Sequence, residues 1–164
     1  MVLKGIMYQF PKEIRLLIIA FVCTLSIGFY SGISFVRSTT NADPTGIEQR
    51  YLGNEEDENA TKMMFKKSEG EMMTTVHSHI LSLSVIFFML SLLLATTDIP
   101  QKLKLFLMIE PFFSLVFTFG GIYLLWKDLH FMKYVIMISG FLMTASYTVT
   151  IFIILKQALF QKEK

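Results

Sequence analysis

Four uninterrupted apolar runs, at residues 16–36, 76–95, 105–126 and 134–155, leave this chain few folds to adopt. Each has about 20 residues, the number an α-helix needs to cross a hydrocarbon core roughly 30 Å thick. Inside that core the backbone must satisfy its own hydrogen bonds, which only helices and closed barrels do. Barrel strands alternate apolar and polar residues, whereas stretches such as "VIFFMLSLLLA" are apolar on every face. Four membrane-spanning helices are therefore expected. Composition agrees: 53% of the 164 residues are hydrophobic and 16 are Phe, more apolar surface than a soluble domain of this size encloses.

The first run has the basic lead of a secretion signal in Lys4, Lys12 and Arg15, but it is longer than a signal core and Arg37 closes it like a transmembrane flank. It reads as a retained helix. Positive charge then sorts the two sides. Lys4, Lys12 and Arg15, the pair Lys102 and Lys104, and Lys156, Lys162 and Lys164 share one face of the membrane, while the opposite face carries the acidic stretch Glu55 to Glu58. The positive-inside rule puts both termini in the cytoplasm and the loop at 37–68 outside. The expected location is the bacterial inner (plasma) membrane, as a multi-pass protein. A net charge of +2 supplies no basic field for nucleic acid. The single cysteine, Cys23, has no partner in its own chain for a disulfide.

Local signals refine the boundaries. "NADPTG" is turn chemistry, "IEQRYL" reads as one or two amphipathic turns on the membrane surface, and Ser68 followed by Glu71 fits a capping box that starts the second long helix near Glu69. The expected helices are about 16–36, 69–97, 105–126 and 134–157 in one all-α membrane domain. Short links at 98–104 and 127–132 force the last three to be antiparallel neighbours. With the first helix closing the square, the fold is an up-down-up-down four-helix bundle. Small residues spaced for close helix packing occur at Ala20, Thr24, Gly28 and Gly32, at Ser114, Thr118 and Gly121, and at Gly140, Thr144 and Thr148. On the second helix His77, Ser84 and Ser91 form the matching stripe, so His77 is expected to face the bundle.

Threading alone puts His77, His79 and His130 on one side of the membrane, with Met72 and Met73 beside the first two. Imidazole with thioether suits soft metals such as Cu(I), and histidines from different helices hold membrane haems. One reading is therefore a haem b or copper site on the extracytoplasmic side, serving electron transfer or metal handling, with His77, His79 and His130 as cofactor ligands and Met72 and Met73 as metal ligands. Residues two apart on a helix point about 200° from each other, so His77 and His79 cannot serve one ion together. The other reading is a non-catalytic accessory or structural subunit, associating with a larger membrane complex or with copies of itself.

Glu110, immediately before Pro111, is the one ionisable residue within the last three runs besides tyrosine and histidine. An acid there is a functional signal by default, here a proton relay with Ser114 and Thr118 continuing a polar line. By helix rise it lies roughly 20 Å or more from the histidines. The chain contains no Walker loop, no G-x-S-x-G and no H-E-x-x-H, so nothing in it signals an independent hydrolase or nucleotide enzyme.

Overall fold

The computed structural model describes residues 5–55 and 63–160. Lys4, Lys162, Lys164 and the acids Glu56, Asp57 and Glu58 lie outside the described residues. After a 3-10 turn at Ile6–Gln9 come α1 (Lys12–Thr40), α2 (Pro44–Leu52), α3 (Glu69–Ala95), α4 (Gln101–Trp126) and α5 (Met132–Leu159). Among the described residues there is no strand, and α1, α3, α4 and α5 are each long and apolar enough to cross a membrane.

The long helices overrun the apolar runs at several ends because apolarity marks what lipid covers, while backbone chemistry decides where a helix stops. Pro11 and Pro100 sit at the N-caps of α1 and α4. Asn41, in the left-handed region at φ 53°, ends α1. The predicted capping box is present: Glu71 N donates to Ser68 Oγ (3.3 Å) and Ser68 N to Glu71 Oε2 (2.9 Å). The amphipathic turns at 47–52 belong to a full helix, α2, capped by Asp43, whose side chain accepts from Thr45 N (2.8 Å) and Gly46 N (3.0 Å), with Pro44 at its first position.

α4 and α5 form the centre of the bundle. Their antiparallel register is marked by Thr118 Oγ1 against Ser139 Oγ at 2.8 Å and by Gly121 beside Ile136, whose Cγ1 would lie 3.0 Å from an added Cβ. α3 lies along α4, with Ser91 donating to Met108 O (3.2 Å) and Phe87 edge-on to Phe112. α1 lies along α5. Phe29 stacks on Tyr147 with centroids 3.8 Å apart, Tyr30 OH meets Thr148 Oγ1 at 2.9 Å, and Arg15 Nε donates to Ala158 O at 2.8 Å.

The expected square is not closed, because α1 makes no seam of comparable extent with α3. Only 11% of the most apolar window of α1 is buried, against 50% for α4, so α1 is the peripheral helix. Its small-residue stripe does not do the packing expected of it. Ala20, Thr24, Gly28 and Gly32 are exposed, and a Cβ added at Gly28 or Gly32 would meet nothing within 4 Å. The inner face uses Ile18, Val22, Leu25 and Phe29 instead. Phe29, stacked on Tyr147, belongs to that inner face, and the small-residue stripe lies on a different side of the helix. On α4 the expectation holds: Ser114, Thr118 and Gly121 are all buried.

Candidate functional site

The end of the bundle that carries α2 is the most elaborated part of the molecule. α2 packs against α1, α4 and α5. Its Glu48 carboxylate reaches both the Lys133 ammonium and His130 Nδ1, each at 2.5 Å. The Lys133 hydrogen bond, aided by His130 and opposed by partial burial, holds the Glu48 carboxyl below the usual carboxylate range. The segment leading into α3 is tied down as well: Trp126 Nε1 donates to Lys67 O (2.7 Å), and Lys66 pairs with Asp128 (2.9 Å). Asn54 N donates to Met64 O (2.9 Å) and Lys67 N to Tyr51 O (3.1 Å), pairing the two ends of the loop.

The three histidines share this end but have separate surroundings. His77 is exposed rather than turned inward. The buried and half-buried face of α3 runs through Met72, Val76, Leu83, Phe87, Leu90 and Leu94, and His77, one residue beyond Val76, is rotated about 100° off it. His79 lies against α4, its ring 4.7 Å from that of Phe119, with Nδ1 2.8 Å from Thr75 O of its own helix. His130, in the link between α4 and α5, faces Glu48. Phe119 precedes Trp126 on α4, so His130 stands about 10 Å or more beyond the level of His79. Met72 is 1% exposed and belongs to the core, whereas Met73 is 51% exposed.

A family model described as a transmembrane helical domain, Aq_1264_TM, matches residues 41–164. The chain belongs to that family. The family domain spans α2 to α5 and starts directly after Thr40, the last residue of α1. Comparison with curated proteins and with solved structures returns no match.

Within the family domain, among the described residues, no three His, Cys, Asp or Glu side chains gather as a metal-binding group. The rings of His79 and His130 are engaged with different partners, Thr75 and Glu48, through Nδ1. An open cleft between the end of α2 and the start of α3 is lined by Arg50, Tyr51, Lys67, Glu71 and Met72 and by none of the histidines.

Glu110 occupies the other notable position. It is half-buried on α4, one carboxylate oxygen accepts from the Ser114 hydroxyl one turn on, and the other, Oε2, is buried without a hydrogen-bond partner. The polar side chains nearest this end of α4 in the sequence are engaged elsewhere. Lys104 donates to Ala95 O (3.0 Å) and Thr97 O (2.6 Å), capping the end of α3, and Thr96 and Thr97 donate to carbonyls of their own helix. Sequence reasoning missed the role of Glu48. Its partners follow it by more than eighty positions, and no local pattern signals such a contact.

Proposed function

We propose that this membrane protein is a non-catalytic accessory or structural subunit that joins a larger membrane protein through the outward face of α1. The observation that carries this reading is the unused stripe of Ala20, Thr24, Gly28 and Gly32. In lipid there is no hydrophobic drive between helices, and close approach at small residues supplies much of their association. α1 spends its large residues on α5 and presents its small ones outward. It also lies outside the region that the family model matches. The charge distribution supports an orientation with α1 entering from the cytoplasm and α2 outside, in a bacterial inner membrane.

The test compares wild type with Gly28→Leu. Leu fills open space at this position and raises helix propensity by about 0.8–1 kcal/mol, so the isolated subunit keeps or gains thermal stability in detergent. Affinity purification from native membranes recovers a stoichiometric partner with wild type and loses it with Gly28→Leu. Recovery of the bare chain from wild type, or an unchanged partner with the variant, rejects the reading. Cys23 is exposed near this face, and its oxidation to a covalent dimer would reassign the face to a second copy of the chain.

The common location of His77, His79 and His130 at one end of the bundle supports a second reading, the haem b or copper site for electron transfer or metal handling, with Met72 and Met73 nearby. It requires the rings to rearrange towards one another. A Soret band or stoichiometric copper in the purified protein, lost on His79→Ala, would favour it over the scaffold.

A further inference from the structure

The buried polar groups of the bundle are not scattered. Lys104, Ser114 and Thr118 on α4 and Ser139, Ser146, Thr150 and Gln157 on α5 are all buried, and Thr118 and Ser139 meet across the seam between the two helices. Glu110 lies on this seam about 14 Å from the Gln101 end of α4 and about 24 Å from Trp126, taking 1.5 Å per residue. By the same rise it lies about 8 Å inside the apolar run that begins at Leu105.

The register set by Thr118 and Ser139, carried down the seam, puts Tyr147 level with Glu110 and Thr150 level with Leu107. Pro111 has no N–H, so the Leu107 carbonyl loses its helical donor. Thr150 Oγ1 and Tyr147 OH are buried without hydrogen-bond partners, as is Glu110 Oε2. Tyr147 is turned to α1, its ring stacked on Phe29, which leaves Glu110 Oε2 and Thr150 Oγ1 as the orphan polar atoms at neighbouring levels beside the proline-loosened turn.

A buried carboxylate with an unpaired oxygen costs several kcal/mol inside a bilayer unless something neutralises it. The charged and titratable groups around Glu110 are few. On its own helix the nearest is Lys104, which is directed at the end of α3. α3 carries none between His79 and Asp98, and α5 carries only Tyr147 between Tyr134 and Lys156. A metal ion needs several donors, and no cluster of three His, Cys, Asp or Glu exists among the described residues. A proton needs one oxygen.

We infer that Glu110 is a proton-binding site within the membrane, with the proton on Oε2 and the Ser114 hydroxyl bonded to Oε1. Ser114, Thr118 and Ser139 continue from it along the seam as a file of hydroxyls towards the end that carries α2. Glu110, Ser114, Thr118 and Ser139 belong to α4 and α5 and not to the outward stripe of α1, so the site stands or falls separately from the proposed subunit interface.

Dicyclohexylcarbodiimide tests the site in the full chain reconstituted in lipid vesicles. This lipid-soluble reagent takes the carboxyl proton onto a nitrogen while the carboxyl oxygen bonds its central carbon, and the adduct rearranges to a stable acylurea. Peptide mass mapping is expected to find the adduct on Glu110 in preference to the exposed Glu69 and Glu71. Infrared spectra of wild type should contain a protonated-carboxyl stretch that Glu110→Gln lacks, with helical amide bands unchanged. That band, assigned by its loss in Glu110→Gln, supports the site even if the reagent cannot reach it. An unlabelled Glu110 together with no such band means an ionised side chain and overturns the proposal.

Discussion

Gly46→Ala is expected to destabilise the protein by about 1–3 kcal/mol, the usual cost of forcing a methyl group into a packed site. An added Cβ would lie 1.9 Å from Thr40 O and 2.6 Å from Thr40 C. Both are backbone atoms, so no rotamer change relieves the overlap. Thr40 is the last residue of α1 and Gly46 lies in the first turn of α2, and the methyl can be accommodated only by prying the two helices apart. That movement would carry Glu48 away from α5. A lower thermal midpoint in detergent, with faster protease nicking between residues 41 and 55, is the expected signature. Gly28→Ala is the control. With open space around it, the same chemical change should stabilise α1 by about 0.8–1 kcal/mol through helix propensity. If Gly46→Ala proves as stable as wild type, α2 does not sit against the end of α1 in the way described.

Glu48→Gln should remove about 1 kcal/mol and flatten the acid limb of the stability profile. The Lys133 and Glu48 side chains are 20% and 23% exposed, which places their pair between the weak surface ion pairs and the costly breaking of fully buried ones. Glu48 also bonds His130, an interaction that is ionic only while the imidazole is protonated. The Glu48 carboxyl titrates below its ordinary value of 4.5 in the folded state, chiefly through the Lys133 hydrogen bond. The folded state therefore binds this proton less readily than the unfolded chain. Its contribution is fully present above about pH 4.5, and is lost as the pH falls through the lower folded value. The amide of the Glu48→Gln variant does not titrate and has no such step, so wild type and variant should converge in acid and separate above it. Thermal midpoints measured across that range check the sign. Parallel curves would mean that the clamp contributes nothing.

What could be read from the chain beforehand was whatever short-range physics decides. Runs of about twenty apolar residues define the spans because hydrocarbon thickness and helix rise are constants. The capping box at Ser68 and Glu71 was legible because both partners lie within one turn. The polar line of Glu110 and Ser114 was legible for the same reason, since four residues bring two side chains onto one helix face. The family match and the four long apolar helices agree with that level of description.

The side on which a helix packs was not legible in the same way. Small residues at four-residue spacing occur on both α1 and α4, and by pattern alone the two stripes are equivalent. On α4 the stripe is buried against α5, whereas on α1 the ring of Phe29 stacks on Tyr147 and turns the stripe outward. Rings more than a hundred positions apart decided that outcome. His77 fell on the wrong side of α3 because one residue, about 100° of rotation, separates it from the packed face. Glu48 became a clamp because α2 folds back over α5. By itself, then, the sequence determined the number of spans and the capped start of α3, consequences of local hydrogen bonding and hydrophobicity. Which face of α1 was left unpaired, and which imidazole met which neighbour, only tertiary packing decided. Those contacts depend on the mutual fit of side chains that no periodicity along one helix encodes.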